Sequence, residues 1–259
     1  LLEVIDTHAH LDELENLEPA LKKAKESGVI AVVAVGSNQQ SNQKVMGICM
    51  NHPNFIYPAL GLHPWALSDL NSHQIDITLK SIEGKITDIV AIGEIGLDYD
   101  KRVTKVAPKE LQKEILKRLL SLAGQYSKPV IIHSRYAWKD SFELVRESSI
   151  EKAVFHWFTG FSSVLKNIIE AGYFISATPA VEYHEEHRRA IRETPLEKLL
   201  LETDCPVIYG RENRYRSEPA DILRSLKAAA ALKGINEHTL AQQTTHNAKQ
   251  FFRLDAKDK

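Results

Sequence analysis

Eight short apolar runs, rich in Val, Ile and Leu and separated by helical patterns, constrain this chain more than any other feature. They occupy residues 4–6, 29–35, 55–62, 89–95, 129–133, 153–157, 173–178 and 199–202. Each is continuous rather than alternating, as expected of strands buried on both faces of a parallel sheet. Helical spacing recurs between them. Leu17, Leu21 and Ala24 share one face, and Ser27-Gly28 ends that helix. Pro108 reads as the first residue of a helix striped by Leu111, Ile115, Leu119 and Leu122. Val164, Leu165, Ile168 and Ile169 form another stripe, with Gly172 just past its end. Helices are also expected over 41–51, 138–147 and 184–193, and a last long one over 219–233, closed by Gly234. Eight such alternations in 259 residues predict an α/β fold, a (β/α)8 TIM barrel, as one domain over 1–259. The alternative, an open doubly wound sheet, normally carries a Gly-rich phosphate turn after its first strand. Here that turn reads His8-Ala9-His10.

An extended backbone points side chains i and i+2 to the same face, so His8 and His10 aim two imidazoles at one place. That suits a divalent metal, although the pair alone is weak evidence. The rest of the chain repeats the placement. A (β/α)8 barrel gathers its function at the C-terminal ends of its strands. His8 and His10 follow the first strand and His63 the third, Glu94 ends the fourth, His133 ends the fifth, His156 is in the sixth, and Asp204 follows the eighth. A single histidine after an apolar run has ordinary structural explanations. Glu94 flanked by glycines is harder to explain, because an isolated buried carboxylate is costly unless paired or metal-bound. Together, His8, His10, Glu94, His133, His156 and Asp204 converge on one rim and point to a divalent metal site. Four imidazoles and two carboxylates exceed the three protein ligands usual for one catalytic zinc. Two ions sharing a bridging carboxylate fit the number, and Zn²⁺, Mg²⁺ and Mn²⁺ all suit such ligands.

The composition is that of an ordinary globule, 43% hydrophobic and 26% charged. No apolar run reaches the 18 residues of a membrane span, and the chain enters its first strand without a signal-peptide pattern. A net charge of -1 neither advertises nor forbids nucleic acid, so a polyanion would need a local basic patch or bound metal. Cys49 and Cys205 cannot build a disulfide framework. A cytoplasmic protein is expected. Cys205 reads as a packed thiol and Cys49 as helix core.

The motifs resemble those of the TatD-type metal-dependent deoxyribonucleases, a branch of the amidohydrolase-like barrels. The likeness runs from Ile5-Asp6-Thr7-His8-Ala9-His10 through Gly61-Leu62-His63-Pro64, Gly93-Glu94-Ile95-Gly96-Leu97-Asp98-Tyr99, Ile132-His133-Ser134-Arg135, Glu202-Thr203-Asp204 and Glu218-Pro219 to Thr244–Phe252. These motifs, six besides the Glu218-Pro219 pair, are specific in this order where each alone is modest. The resemblance implies that His8, His10, Glu94 and Asp204 hold one metal, and that Glu94, His133 and His156 hold a second, with Glu94 bridging. It implies a DNA substrate, cleaved as a 3′-to-5′ exonuclease acting on single strands or ends, with no membrane and no stable protein partner. In that scheme Asp204 and Glu94 are catalytic, with Asp204 accepting the proton of the attacking water. His63 would contact phosphate from the rim rather than ligate.

The chain also departs from the family pattern. Trp157 and Thr159 stand where relatives carry Cys and Ser. Trp157 can stack a base, with packing the preferred reading. The loop 176–181 differs where phosphate contacts are expected. Arg135 could reach a phosphate or form an ion pair, and residues 211–216 could form a phosphate track or a solvated loop. The basic faces at Lys113, Lys117 and Arg118, and at His187, Arg188 and Arg189, read as outer surface. Glu202 and Glu218 read as carboxylates that orient the histidines, or as surface groups. An aminoacyl-tRNA ester or a lactone is an alternative substrate for the same site. A non-enzymatic adaptor is a third reading, which the intact ligand set opposes.

Overall fold

The computed structural model describes residues 2–254; residue 1 and residues 255–259 of the expected domain lie outside the described residues. Eight parallel strands pair in chain order: β1 Val4–Ala9, β2 Val29–Val35, β3 Ile56–Leu60, β4 Ala91–Asp98, β5 Val130–Arg135, β6 Ala153–Phe155, β7 Phe174–Ala177 and β8 Leu199–Leu201. The barrel closes just past β8, where Ala9 bridges Cys205 in parallel. His10 N donates to Cys205 O (2.8 Å) and Asp204 N to His8 O (2.9 Å). The expected (β/α)8 barrel is the fold.

The continuous apolar runs have a double use. Ile5, Val33, Ala59, Ala91, Ile131, Val154 and Leu200 pack together inside the barrel, while their neighbours Val4, Val32, Leu60, Ile92, Val130, Phe155 and Leu201 pack outward under the helices. Both faces of each strand are therefore buried, as parallel strands under crossover helices require.

The helices are α1 Leu17–Glu26, α2 Gln39–Asn51, α3 Ser72–Glu83, α4 Lys101–Thr104, α5 Lys109–Gln125, α6 Trp138–Glu147, α7 Ser162–Glu170, α8 Glu185–Glu193, α9 Ile222–Lys233 and α10 Glu237–Phe252. Gly172 and Gly234 lie at left-handed φ of 85° and 66° past α7 and α9, as their positions predicted. Three expectations need correction. Pro108 caps α5 instead of opening it. The run 219–233 is a 3-10 turn, Pro219–Asp221, followed by α9. The last long helix is α10, which the apolar pattern hid because its inner face is partly polar. Thr245 donates to Glu3 O and Asn247 Nδ2 to both Leu196 O and Leu199 O, all at 2.9 Å, so these groups are buried without loss of hydrogen bonds. Ala248, Phe251 and Phe252 of α10 join the inner cluster.

Candidate metal centre and catalytic cavity

A regular strand beginning with Ile5 inside the barrel would turn Thr7 and Ala9 inward and His8 and His10 outward. The β1–β2 register shifts between Asp6 and Ala9, and both histidines reach the barrel mouth. The same occurs in β4. Ala91 faces inward, the β4–β5 register shifts between Ile92 and Ile95, and Glu94 turns into the site. Such irregularities re-aim side chains beside active sites. The glycines near Glu94 permit this one. A Cβ on Gly96 would lie 1.9 Å from His133 O, and one on Gly93 2.6 Å from Ile131 Cβ. His133, His156 and Glu202 need no such device, each standing two residues beyond the inward-facing Ile131, Val154 and Leu200, whereas His63 lies in the turn past β3 and Asp204 past β8 at a left-handed φ of 50°.

The six expected ligands converge around Glu94, which is 3% exposed. Its two oxygens divide them. Oε2 faces His10 Nε2 (3.3 Å) and His8 Nε2 (3.5 Å), and both imidazoles lie 3.5 Å from Asp204 Oδ1. Oε1 faces His156 Nε2 (2.8 Å) and His133 Nδ1 (2.9 Å). His8 Nε2 and His10 Nε2 are 3.2 Å apart. Ligands bonded at zinc-like lengths stand about 3.3–3.4 Å apart around a tetrahedron, so the first group has the spacing of a metal shell. Charge agrees. Burial opposes protonation of His10, yet the hydrogen bond and charge of Glu94, with Asp204 beside it, lift its pKa to about 9. Burial pushes Asp204 up, while the surrounding imidazoles outweigh burial and hold Glu94 well below the carboxylate range. The cluster is built to receive positive charge.

Hydrogen bonds behind the imidazoles set which nitrogen is available. His10 Nδ1 lies 3.1 Å from Val35 O, and His133 Nε2 lies 3.1 Å from Asp98 Oδ2; each acceptor holds a proton there, so that a metal displacing the proton of the opposite nitrogen would find its lone pair facing the centre. His63 is reversed. Its Nδ1 accepts from Trp65 N (3.1 Å), which puts the proton on Nε2, 3.4 Å from Glu94 Oε1. Burial pushes His63 down to about 4, so it stays neutral. It is a donor aimed into the site, not a lone pair. Glu202 approaches His156 Nδ1 (3.5 Å) and accepts from Trp157 N (3.0 Å), as an orienting carboxylate should.

Asp98 and Asp6 lie within the sequence motifs, and residue type alone assigns them no role. Asp98, fully buried, accepts from His133, from Trp65 Nε1 (2.6 Å) and from Arg135 (3.0 and 3.1 Å). Burial raises its pKa, but the His133 and Trp65 hydrogen bonds hold it below the usual range. Gln112 of α5 clamps the Asp98 backbone through N (2.7 Å) and O (3.0 Å). Asp6 accepts from Thr203 N (2.9 Å) and Oγ1 (2.6 Å), fixing the segment that carries Asp204; burial pushes its pKa up to about 8. Asp98→Asn should weaken metal affinity or turnover about 10–100-fold. Metal titration of the purified variant checks this, and wild-type affinity together with wild-type turnover would remove Asp98 from the site.

A cavity of about 1080 Å³ opens over the cluster, and His10, His63, Glu94, His133, His156 and Asp204 all line it. Arg135 lines it too, although its Nε and Nη2 are held by Asp98, so the ion-pair reading is realised. Trp157 both lines the cavity and packs on Tyr209 at 5.4 Å. Of the two readings of Glu218 the surface one is realised, since it is ion-paired with Lys23 of α1 and does not serve the histidines. His187 is not outer surface: it is fully buried, its Nδ1 3.0 Å from Phe158 O and its Nε2 accepting from Thr178 N (3.1 Å). The loop expected to touch phosphate is buried at Thr178, Pro179, Ala180 and Val181; His184 and Glu186 beyond it line the cavity instead. Residues 208–216 form a hairpin, β9 Ile208–Tyr209 with β10 Tyr215–Arg216, whose Arg216 lines the cavity and pairs with Glu15 (3.6 Å). Cys205 and Cys49 are buried free thiols, the latter pushed up to about 12 by burial.

The family model described as TatD related DNase matches residues 5–253. The chain belongs to the TatD family. It is 33% identical to the human deoxyribonuclease TATDN3 across 96% of this chain and 94% of that protein. It is 30% identical to the 3′-5′ ssDNA/RNA exonuclease TatD of Erwinia tasmaniensis across 92% and 93%. The crystal structure of the TatD homologue YJJV of Escherichia coli superposes with a TM-score of 0.86 at 26% identity, over 97% of this chain and 98% of that one. As a TatD-family protein, the chain is a metal-dependent hydrolase of the deoxyribonuclease class. No helix among its described residues is long and apolar enough to cross a membrane.

Proposed function

We propose that this TatD-family enzyme binds two divalent cations bridged by Glu94 and removes nucleotides from the 3′ ends of single-stranded DNA. The observation that carries the two-ion reading is the division of the imidazoles between the two oxygens of Glu94. His8, His10, Asp204 and Oε2 would hold one ion, and His133, His156 and Oε1 the other. Nitrogen-rich ligation favours Zn²⁺, with Mn²⁺ and Mg²⁺ the alternatives. When bound, the ions supply Lewis acidity, polarising the phosphoryl oxygen and activating water.

The side chains divide the remaining work. Asp204, made more basic by burial, accepts the proton of the attacking water as oxygen bonds to phosphorus and the P–O3′ bond breaks, and the departing O3′ takes up a proton from solvent to become the new 3′-hydroxyl. His63 Nε2–H donates to a phosphoryl oxygen as its charge grows. Arg135 can offer a phosphate its two Nη1–H donors and the second Nη2–H, the ones that Asp98 does not engage. The name of the Erwinia relative supports the polarity and the single-strand preference. Metal-loaded enzyme should shorten 5′-labelled single strands into a ladder, release labelled mononucleotide at once from 3′-labelled strands, and lose both activities on chelation. Internal cuts from the outset would replace the exonuclease reading. Ester hydrolysis without DNA cleavage would move the function to the aminoacyl-tRNA class.

A further inference from the structure

Beyond Arg135 the cavity wall continues as a row of aromatic rings that the hydrolytic step does not use. Tyr136 and Trp138 meet edge to face at 5.9 Å, and Trp138 meets Phe161 in the same way at 5.5 Å. Tyr136 is 61% exposed and Phe161 65%. A single exposed ring needs no explanation, but a contiguous row at the lip of a catalytic cavity does. Tyr136 and Trp138 line the same cavity as Glu94 and His133.

The row is held in place. Tyr136 takes a φ of 57°, a conformation that a bulky residue adopts only where its surroundings impose it and that is enriched at functional sites. Trp138 opens α6, and Gly160 approaches its ring so closely that a Cβ there would lie 2.6 Å from Cγ. Phe161 sits at the N-cap of α7.

The charges nearby leave this surface with work to do. Arg135 is engaged by Asp98, with Asp100 3.7 Å away, and Arg216 by Glu15. Glu13 and Glu186 also line the cavity, and the whole chain carries -1. The lining of the cavity therefore offers a polyanion little unpaired positive charge, and the bases of a strand are the remaining handle. Every base has a π face, so aromatic platforms hold single strands with little regard to sequence.

We propose that Tyr136, Trp138 and Phe161 form a base-stacking platform that holds unpaired nucleotides beside the scissile phosphate. The proposal rests on the phosphodiesterase reading and extends it. Bases stacked within a duplex cannot reach the rings, so the platform selects unpaired strands.

The test uses the full chain without turnover. Binding of a deoxyadenylate 12-mer and of an abasic 12-mer with the same phosphates is measured in chelator by fluorescence anisotropy. Wild type should bind the base-bearing strand at least about tenfold more tightly than the abasic one. The double variant Tyr136→Ala/Phe161→Ala should lose that preference, with its affinity for the abasic strand changed by less than about twofold. Tyr136→Phe/Phe161→Tyr keeps both rings and should keep the preference, which separates stacking from misfolding. Trp138 is left intact because its ring packs on Gly160. Equal wild-type affinity for the two strands, or a preference that survives the double alanine change, would overturn the platform. So would ring-dependent self-association, which would make the row a protein interface. Hydrolysis of bis(4-nitrophenyl) phosphate by metal-loaded wild type tests the phosphodiesterase reading separately.

Discussion

Glu94→Gln is expected to lower kcat by about 10³-fold or more, equivalent to about 4 kcal/mol of transition-state stabilisation. The amide keeps the shape of the carboxylate but replaces one ligand oxygen with an N–H donor and removes the negative charge. Because Oε2 serves His8 and His10 while Oε1 serves His133 and His156, one substitution damages both halves of the centre. Bound metal should fall from two ions per chain to one or fewer by elemental analysis. The metal-free variant should melt within a few degrees of the metal-free wild type, since the barrel core does not involve this side chain. Near-normal turnover with two ions retained would end the bridging assignment.

Asp204→Asn separates two duties that Glu94→Gln removes together. Asparagine retains an oxygen able to ligate but cannot take up a proton at neutral pH. The segment carrying Asp204 is also fixed independently, by Asp6 on Thr203 and by the hydrogen bond from Asp204 N to His8 O. Metal content should therefore stay near wild type while kcat falls about 10²–10⁴-fold, the usual contribution of a positioned general base. If metal is lost in proportion to activity, Asp204 is a ligand alone. If activity persists with metal bound, the proton goes elsewhere.

The sequence by itself determined the architecture and the identity of the candidate ligands. In a parallel barrel every strand ends on the same rim, so order along the chain is enough to place His8, His10, His63, Glu94, His133, His156 and Asp204 together. Only the tertiary structure decided how they meet. The irregularities in β1 and β4 depend on register against β2 and β5, which no two-residue alternation reveals. The proton on His63 is set by a backbone N–H in the turn that follows it, and the partner of Arg135 lies on another strand. The partner of Glu218 and the burial of His187 are decided in the same way, since partnership and burial follow from which elements pack against a position, not from residue type. The aromatic row brings together Tyr136 just past β5, Trp138 at the start of α6 and Phe161 just before α7, a neighbourhood that exists only once these consecutive elements have packed.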